Sequence, residues 1–171
     1  MILRKINYIQ IIFHFIATWF LMFSFQSFSW LLNIKHLEKI QTYGLKNISA
    51  NHEKYGITTM DIWYFSFWPS MACLVGIVLA FIISLIISKY KKWSVLNSFI
   101  VLILSYVMYQ FDVLGWVYFK KIFAFVNYID DFQLVFIVTG MFLLIIGSII
   151  FFSKLTNQII QNQYEKQMKQ I

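Results

Sequence analysis

Few side chains in this sequence are able to do chemistry, and their placement limits what that chemistry is. Within its apolar stretches the titratable groups of interest are His14, Cys73 and Asp112. Ser98, Ser105 and Asp112 are spaced by seven, so on a helix they share a face, with Gly115 one turn beyond. A carboxylate inside a bilayer usually faces the protein interior or a water-filled cavity, and is a functional candidate by default. The competing reading is that Asp112 reaches interfacial water past Gly115 and Trp116, because it lies about 25 Å along its helix from Val95. His14 sits about 10 Å in from Tyr8 at the opposite end. Among Phe13, Phe15 and Ile16 it reads first as a neutral packing residue, and second as a proton-relay or ligand group. The difference in depth rules out a His14–Asp112 pair. The candidate intramembrane polar residues are therefore His14, Ser105 and Asp112.

The remaining histidines lie in a polar segment, as His36-x-Glu38 and His52-Glu53. Zinc motifs set their ligands on one helical face or in a tight turn, and neither spacing does so. These read as solvated residues, and no metal or cofactor is expected. One cysteine, Cys73, allows neither an intramolecular disulfide nor a CxxC centre. Intramembrane cleavage by paired aspartates needs a second deep acid, and haem ligation needs more helical histidines than His14. No catalytic set emerges, which points away from an enzyme.

The elements that must position these groups follow from composition. The chain has 171 residues, 60% hydrophobic and 12% charged. A soluble domain carries about 25% charged residues, so water is not the solvent for most of this surface. Crossing the hydrocarbon core takes about 20 apolar residues in a helix. Four segments qualify, at about 8–32, 62–88, 95–118 and 132–152. Barrel strands would alternate in polarity, and runs such as LVGIVLAFIISLII do not. The first segment exceeds the ~7–15-residue core of a cleavable signal and lacks a small-residue cleavage site, so it reads as a retained helix.

The expectation is an all-α polytopic membrane protein: a single membrane domain over 1–171, built as a four-transmembrane-helix bundle. Its outer loops are 33–61 and 119–131, and its cytoplasmic tail is 153–171, Gln-rich and polar, extending the last helix outward. Ile34, Leu37 and Ile40 beside Lys35, Glu38 and Lys39 give the first outer loop a short interfacial amphipathic helix. Gly44 and Gly56 read as breaks, and Thr59 or Asp61 as the cap of the second long helix. Pro69 reads as a kink.

The net charge of +7 is carried by lysines at the ends of apolar segments, with Arg4 as the one arginine. That distribution orients a membrane protein and touches anionic lipid; it is not the one-sided patch of a nucleic-acid reader. With the amino end inside, Lys89, Lys91 and Lys92 crowd one short cytoplasmic turn, whereas Lys35, Lys39, Lys46 and Lys54 spread across a long outer loop. Both termini are thus expected in the cytoplasm. The bias towards Phe, Ile, Lys, Asn and Tyr suggests a bacterial chain of the inner membrane, which makes the sequon at Asn47 idle.

The second long helix carries Ala72, Gly76, Ala80, Ser84 and Ser88, a small residue at every fourth position. Such ladders let helix backbones approach closely. The expected role of Ala72, Gly76, Ala80 and Ser84 is helix packing, within the chain or with another chain, and Ile77 on an adjacent face is expected to tolerate leucine. The function expected from these features is a small non-enzymatic accessory or scaffold subunit of a larger membrane complex. The alternatives are a small channel or carrier, and an immunity-type protein against a pore-forming toxin. The expected partners are the lipid bilayer and a protein partner, or a second copy, held through the helices.

Overall fold

The computed structural model describes residues 6–111, 129 and 131–169. Asp112 and the remainder of the expected 95–118 helix lie outside the described residues, as do Arg4, Lys5 and nearly all of the 119–131 loop. Among the described residues the regular elements are all helical, with no strand. They are α1 (Tyr8–Ser29), α2 (Ile34–Tyr43), α3 (Leu45–Ala50), α4 (Thr59–Tyr90), α5 (Val95–Gln110), α6 (Phe132–Phe152) and α7 (Lys154–Lys169). Three helical stretches, Tyr8–Tyr43, Thr59–Tyr90 and Gln133–Gln167, are long and apolar enough to cross a membrane. Val95–Gln110 is apolar but shorter.

Local chemistry sets the boundaries. Asn7 starts α1 by accepting the Gln10 amide at 3.0 Å. The end of α1 tightens into a 3-10 turn over Trp30–Asn33 and runs on into α2 without an intervening loop. Gly44 (φ 80°) and Gly56 (φ 64°) hold the left-handed region, where a Cβ would be strained; they end α2 and the 3-10 turn His52–Tyr55. The cap of α4 is Thr58 rather than Thr59 or Asp61. Its hydroxyl accepts the Asp61 amide at 3.2 Å while the Asp61 carboxylate accepts the Thr58 amide at 2.8 Å. Asp61 therefore closes a capping box instead of opening the helix. Pro69 is buried inside α4, which continues through it.

At the other end of α4, Lys92 takes φ 59° and the Trp93 amide bonds the Ser88 carbonyl at 2.8 Å, while Lys92 N–H bonds Lys89 O at 3.2 Å. This is the paired bonding of a Schellman stop with a lysine where glycine is usual. Ser153 leaves the helical region (ψ 138°) and separates α6 from α7, then caps α7 by accepting the Thr156 amide at 3.0 Å.

Helix α1 lies between α4 and α6 and also touches α5. Trp19, Met22 and Phe23 of α1 share one buried cluster with Cys73, Ile77 and Leu143. Ala17 and Leu21 share a second with Ala80, Ile87, Phe151 and Ile160. Ile77 is thus a core residue at 2% exposure, where a volume-conserving change to leucine is still among the best tolerated. Gly76 is buried so closely against α1 that an added Cβ would stand 2.7 Å from the Met22 Cα. Ala80, Ser84 and Ser88 are buried along the same line, and Ala72 is half-buried.

Outward, α4 exposes Val75, Val78, Ile82 and Ile86, and α5 exposes Phe99, Ile103 and Val107. Such apolar outer faces suit hydrocarbon, where helices keep their own backbone groups bonded.

The described part of the 153–171 segment, to Lys169, departs from its expected form. It does not project outward. Ile160 is fully buried, its carbonyl accepts Asn7 Nδ2 at 3.3 Å, Tyr164 stacks on Trp93 at 6.0 Å between ring centroids, and Gln167 Nε2 bonds Ile6 O at 3.0 Å. Helix α7 therefore lies across the end of the bundle where α1 begins and α4 meets α5.

Candidate functional site

The most concentrated chemistry lies at that same end. Asn7, Gln10, His14 and Thr18 fall at three- and four-residue intervals, one stripe of α1, and all four are buried. Ser84 and Ser88 of α4 and Asn97 and Ser98 of α5 face the stripe, each fully buried. A buried polar group left without a partner costs about 1–3 kcal/mol, so the question is how these groups satisfy one another.

They do so as a connected chain. Asn97 Nδ2 donates to Gln10 Oε1 and to the Tyr164 hydroxyl, both at 2.7 Å, and that hydroxyl donates to the same Gln10 oxygen at 2.7 Å. The Ser94 amide also donates to Tyr164 at 3.0 Å. Gln10 Nε2 reaches Ser88 Oγ at 2.8 Å, Ser88 and Ser98 lie 3.1 Å apart, and Ser84 donates to Ser98 at 2.7 Å. His14 Nδ1 lies 2.7 Å from Ser84 Oγ. Asn7 N–H closes the edge on Asn97 Oδ1 at 3.3 Å.

The direction of these bonds assigns the His14 tautomer. A serine hydroxyl has one hydrogen, and that of Ser84 goes to Ser98. His14 Nδ1 is then the donor, and Nε2 is a bare acceptor. Among the described residues Nε2 is buried without a hydrogen-bond partner, beside the Phe151 ring, whose centroid is 5.1 Å from that of the imidazole in an edge-on arrangement.

Of the residues singled out from sequence, His14, Ser84, Ser88 and Ser98 join this cluster. Ser105 is buried two turns further along α5, and its hydroxyl has no partner among the described residues. Asp112 is outside the described residues. Cys73 is a buried free thiol in the apolar cluster with Trp19 and Met22. His36 Nε2 lies 3.5 Å from Asp61 Oδ1, and His52 Nδ1 is 2.9 Å from the Ile57 carbonyl. Among the described residues no three metal-ligating side chains converge.

Sequence reasoning missed Asn7, Gln10, Asn97 and Tyr164. The signal for the first two was present, since a polar residue recurs along α1 at helical spacing through Thr18. Nothing marked Tyr164, whose hydroxyl enters the cluster through the fold of α7.

The chain matches no protein-family model, and neither a curated protein nor a solved structure is significantly similar to it.

The cluster is made of neutral amides and hydroxyls, with the His14 imidazole as its base. Such a network fixes the relative placement of helices when each member is satisfied. It couples α1, α4, α5 and α7, and the middle of the outward faces of α4 and α5, with Val75, Val78, Ile82, Phe99 and Ile103, is apolar.

Proposed function

We propose that the chain is a non-enzymatic accessory or scaffold subunit of a bacterial inner-membrane complex. In this reading it crosses the membrane four times, keeps both termini in the cytoplasm, and lays α2 along the outer interface. The observation that carries it is the hydrogen-bonded cluster from Tyr164 through Gln10, Ser88, Ser98 and Ser84 to His14. It commits the polar groups to one another and so supports a rigid packing unit, whose apolar α4 and α5 faces meet lipid or a neighbouring protein. Photo-crosslinkers at Val78 and Ile103, followed by gentle purification from native membranes, test this. A stoichiometric protein adduct is expected, and adducts to lipid alone at both sites would overturn it. The topology is tested separately by single-cysteine labelling in a Cys73→Ala background. Loop 34–58 should label from outside and 154–169 only after permeabilisation; labelling of the tail in intact cells would contradict the four-span reading.

A carrier is the second reading, favoured by one observation: the bare, buried His14 Nε2 ends a chain of hydroxyls. Proton flux into liposomes that disappears in His14→Gln would favour it over the scaffold.

A further inference from the structure

Beside the polar cluster, where α4 turns into α5 and α6 into α7, the structure holds an open cavity of about 620 Å³. That falls within the range of small-ligand sites, about 300–1,000 Å³. Two cations line it, Lys91 from the turn after α4 and Lys154 from the start of α7. Among the described residues neither is paired with a carboxylate. The one acid of α7, Glu165, accepts Gln161 Nε2 at 3.2 Å and is not part of the lining.

The rest of the wall is amphipathic. Gln158 offers an exposed amide, whereas Phe152 closes the last turn of α6 with 62% of its surface exposed. The Trp93 ring is held in place because its Nε1 donates to Gln161 Oε1 at 2.8 Å and its face stacks on Tyr164. Two ammonium groups beside two apolar rings fit an anion that carries a hydrocarbon part. Ammonium groups bind phosphate as point charges, and basic pockets at helix ends on the cytoplasmic side take anionic headgroups.

We propose that this cavity binds the phosphate of an anionic phospholipid, with Lys91 and Lys154 as the charged partners and Phe152 and Trp93 against its apolar portion. The proposal rests on the membrane reading above, which places the end of α6 at the bilayer interface. A bound lipid would also bridge the α4–α5 turn to α7, so that headgroup binding and closure of the bundle end are linked.

The test uses the full chain in nanodiscs of phosphatidylcholine with or without phosphatidylglycerol, followed by mass spectrometry of retained lipid. Inorganic phosphate and glycerol 3-phosphate serve as soluble probes. Phosphatidylglycerol should be retained in preference, and Lys91→Gln with Lys154→Gln should weaken retention about tenfold or more. Lys91→Arg with Lys154→Arg should restore it, which separates lost charge from misfolding. Lys35→Gln with Lys54→Gln should change little. Equal retention of both lipids, or an equal loss in the Lys35/Lys54 variant, would overturn the site. Inorganic phosphate competing as well as the lipid would overturn the lipid assignment. Alkaline carbonate extraction separates the two claims: release of the chain from membranes defeats the membrane reading, whereas retention without lipid preference defeats the lipid site alone.

Discussion

His14 Nδ1 of α1 and Ser84 Oγ of α4 lie 2.7 Å apart, 70 residues apart in the chain. The bond is the inner end of a hydrogen-bonded run, and the imidazole also packs edge-on against Phe151 of α6. Removing the ring therefore loses both a bond and a filled volume. His14→Ala is expected to destabilise by about 2–4 kcal/mol. Ser84→Ala removes one hydroxyl, and inter-helix bonds in membranes average only about 0.6 kcal/mol, so its cost should be smaller. Cys73, the chain's single cysteine and 1% exposed, is a built-in reporter: a thiol-reactive dye followed during heating in detergent gives both transitions. Equal melting of His14→Ala and the parent would show that the ring is dispensable.

Gly76 and Met22 supply the steric counterpart. A methyl group at Gly76 would meet backbone, at 2.7 Å from the Met22 Cα and 3.1 Å from its nitrogen, so one helix must move. Gly76→Ala should cost about 1–3 kcal/mol, and Gly76→Ile more. Val78 is 51% exposed, and Val78→Leu should stay within about 0.5 kcal/mol. The same thiol-dye melt decides, with an unchanged Gly76→Ala transition refuting the close approach.

Tyr164 ties α7 to the bundle through three hydrogen bonds, with Ser94, Asn97 and Gln10. Tyr164→Phe keeps the ring over Trp93 but removes the hydroxyl that Asn97 and Ser94 use. The expected loss is about 1–3 kcal/mol, localised to α7. Hydrogen exchange should show faster exchange over 154–169 and little change in α4, whereas uniform protection in the variant would argue that stacking alone holds the helix.

Lys92 occupies φ 59° at the end of α4, a conformation that costs an L-residue about 1–2 kcal/mol relative to glycine. Lys92→Gly should raise stability by up to about 1 kcal/mol, the gain being offset by glycine's greater freedom in the unfolded chain. Lys92→Val, β-branched at a positive φ, should lower it. A lower melting temperature for Lys92→Gly than for the parent would contradict the strain argument.

What the sequence by itself determined is the helical class and the repeat of the elements. Long unalternating apolar runs dictate helices, because only helices bond their own backbone within a segment, and 132–152 is bounded as read because Asp131 and Ser153 punctuate it. The stripe Asn7, Gln10, His14, Thr18 and the small-residue line Gly76, Ala80, Ser84 are likewise local periodicities, written in the chain before it folds. Their partners are not. Which backbone lies over Gly76, which hydroxyl meets His14, and which direction α7 takes after Ser153 depend on contacts 54 to 154 residues apart in sequence. Tyr164 and Ile77 illustrate the gap. The first looks like part of a polar tail and the second like one apolar residue among many beside the ladder, because hydropathy cannot distinguish an outward apolar side chain from one facing another helix. Only the tertiary arrangement draws that line, by deciding which faces are buried against neighbouring helices and must satisfy their polar groups from within.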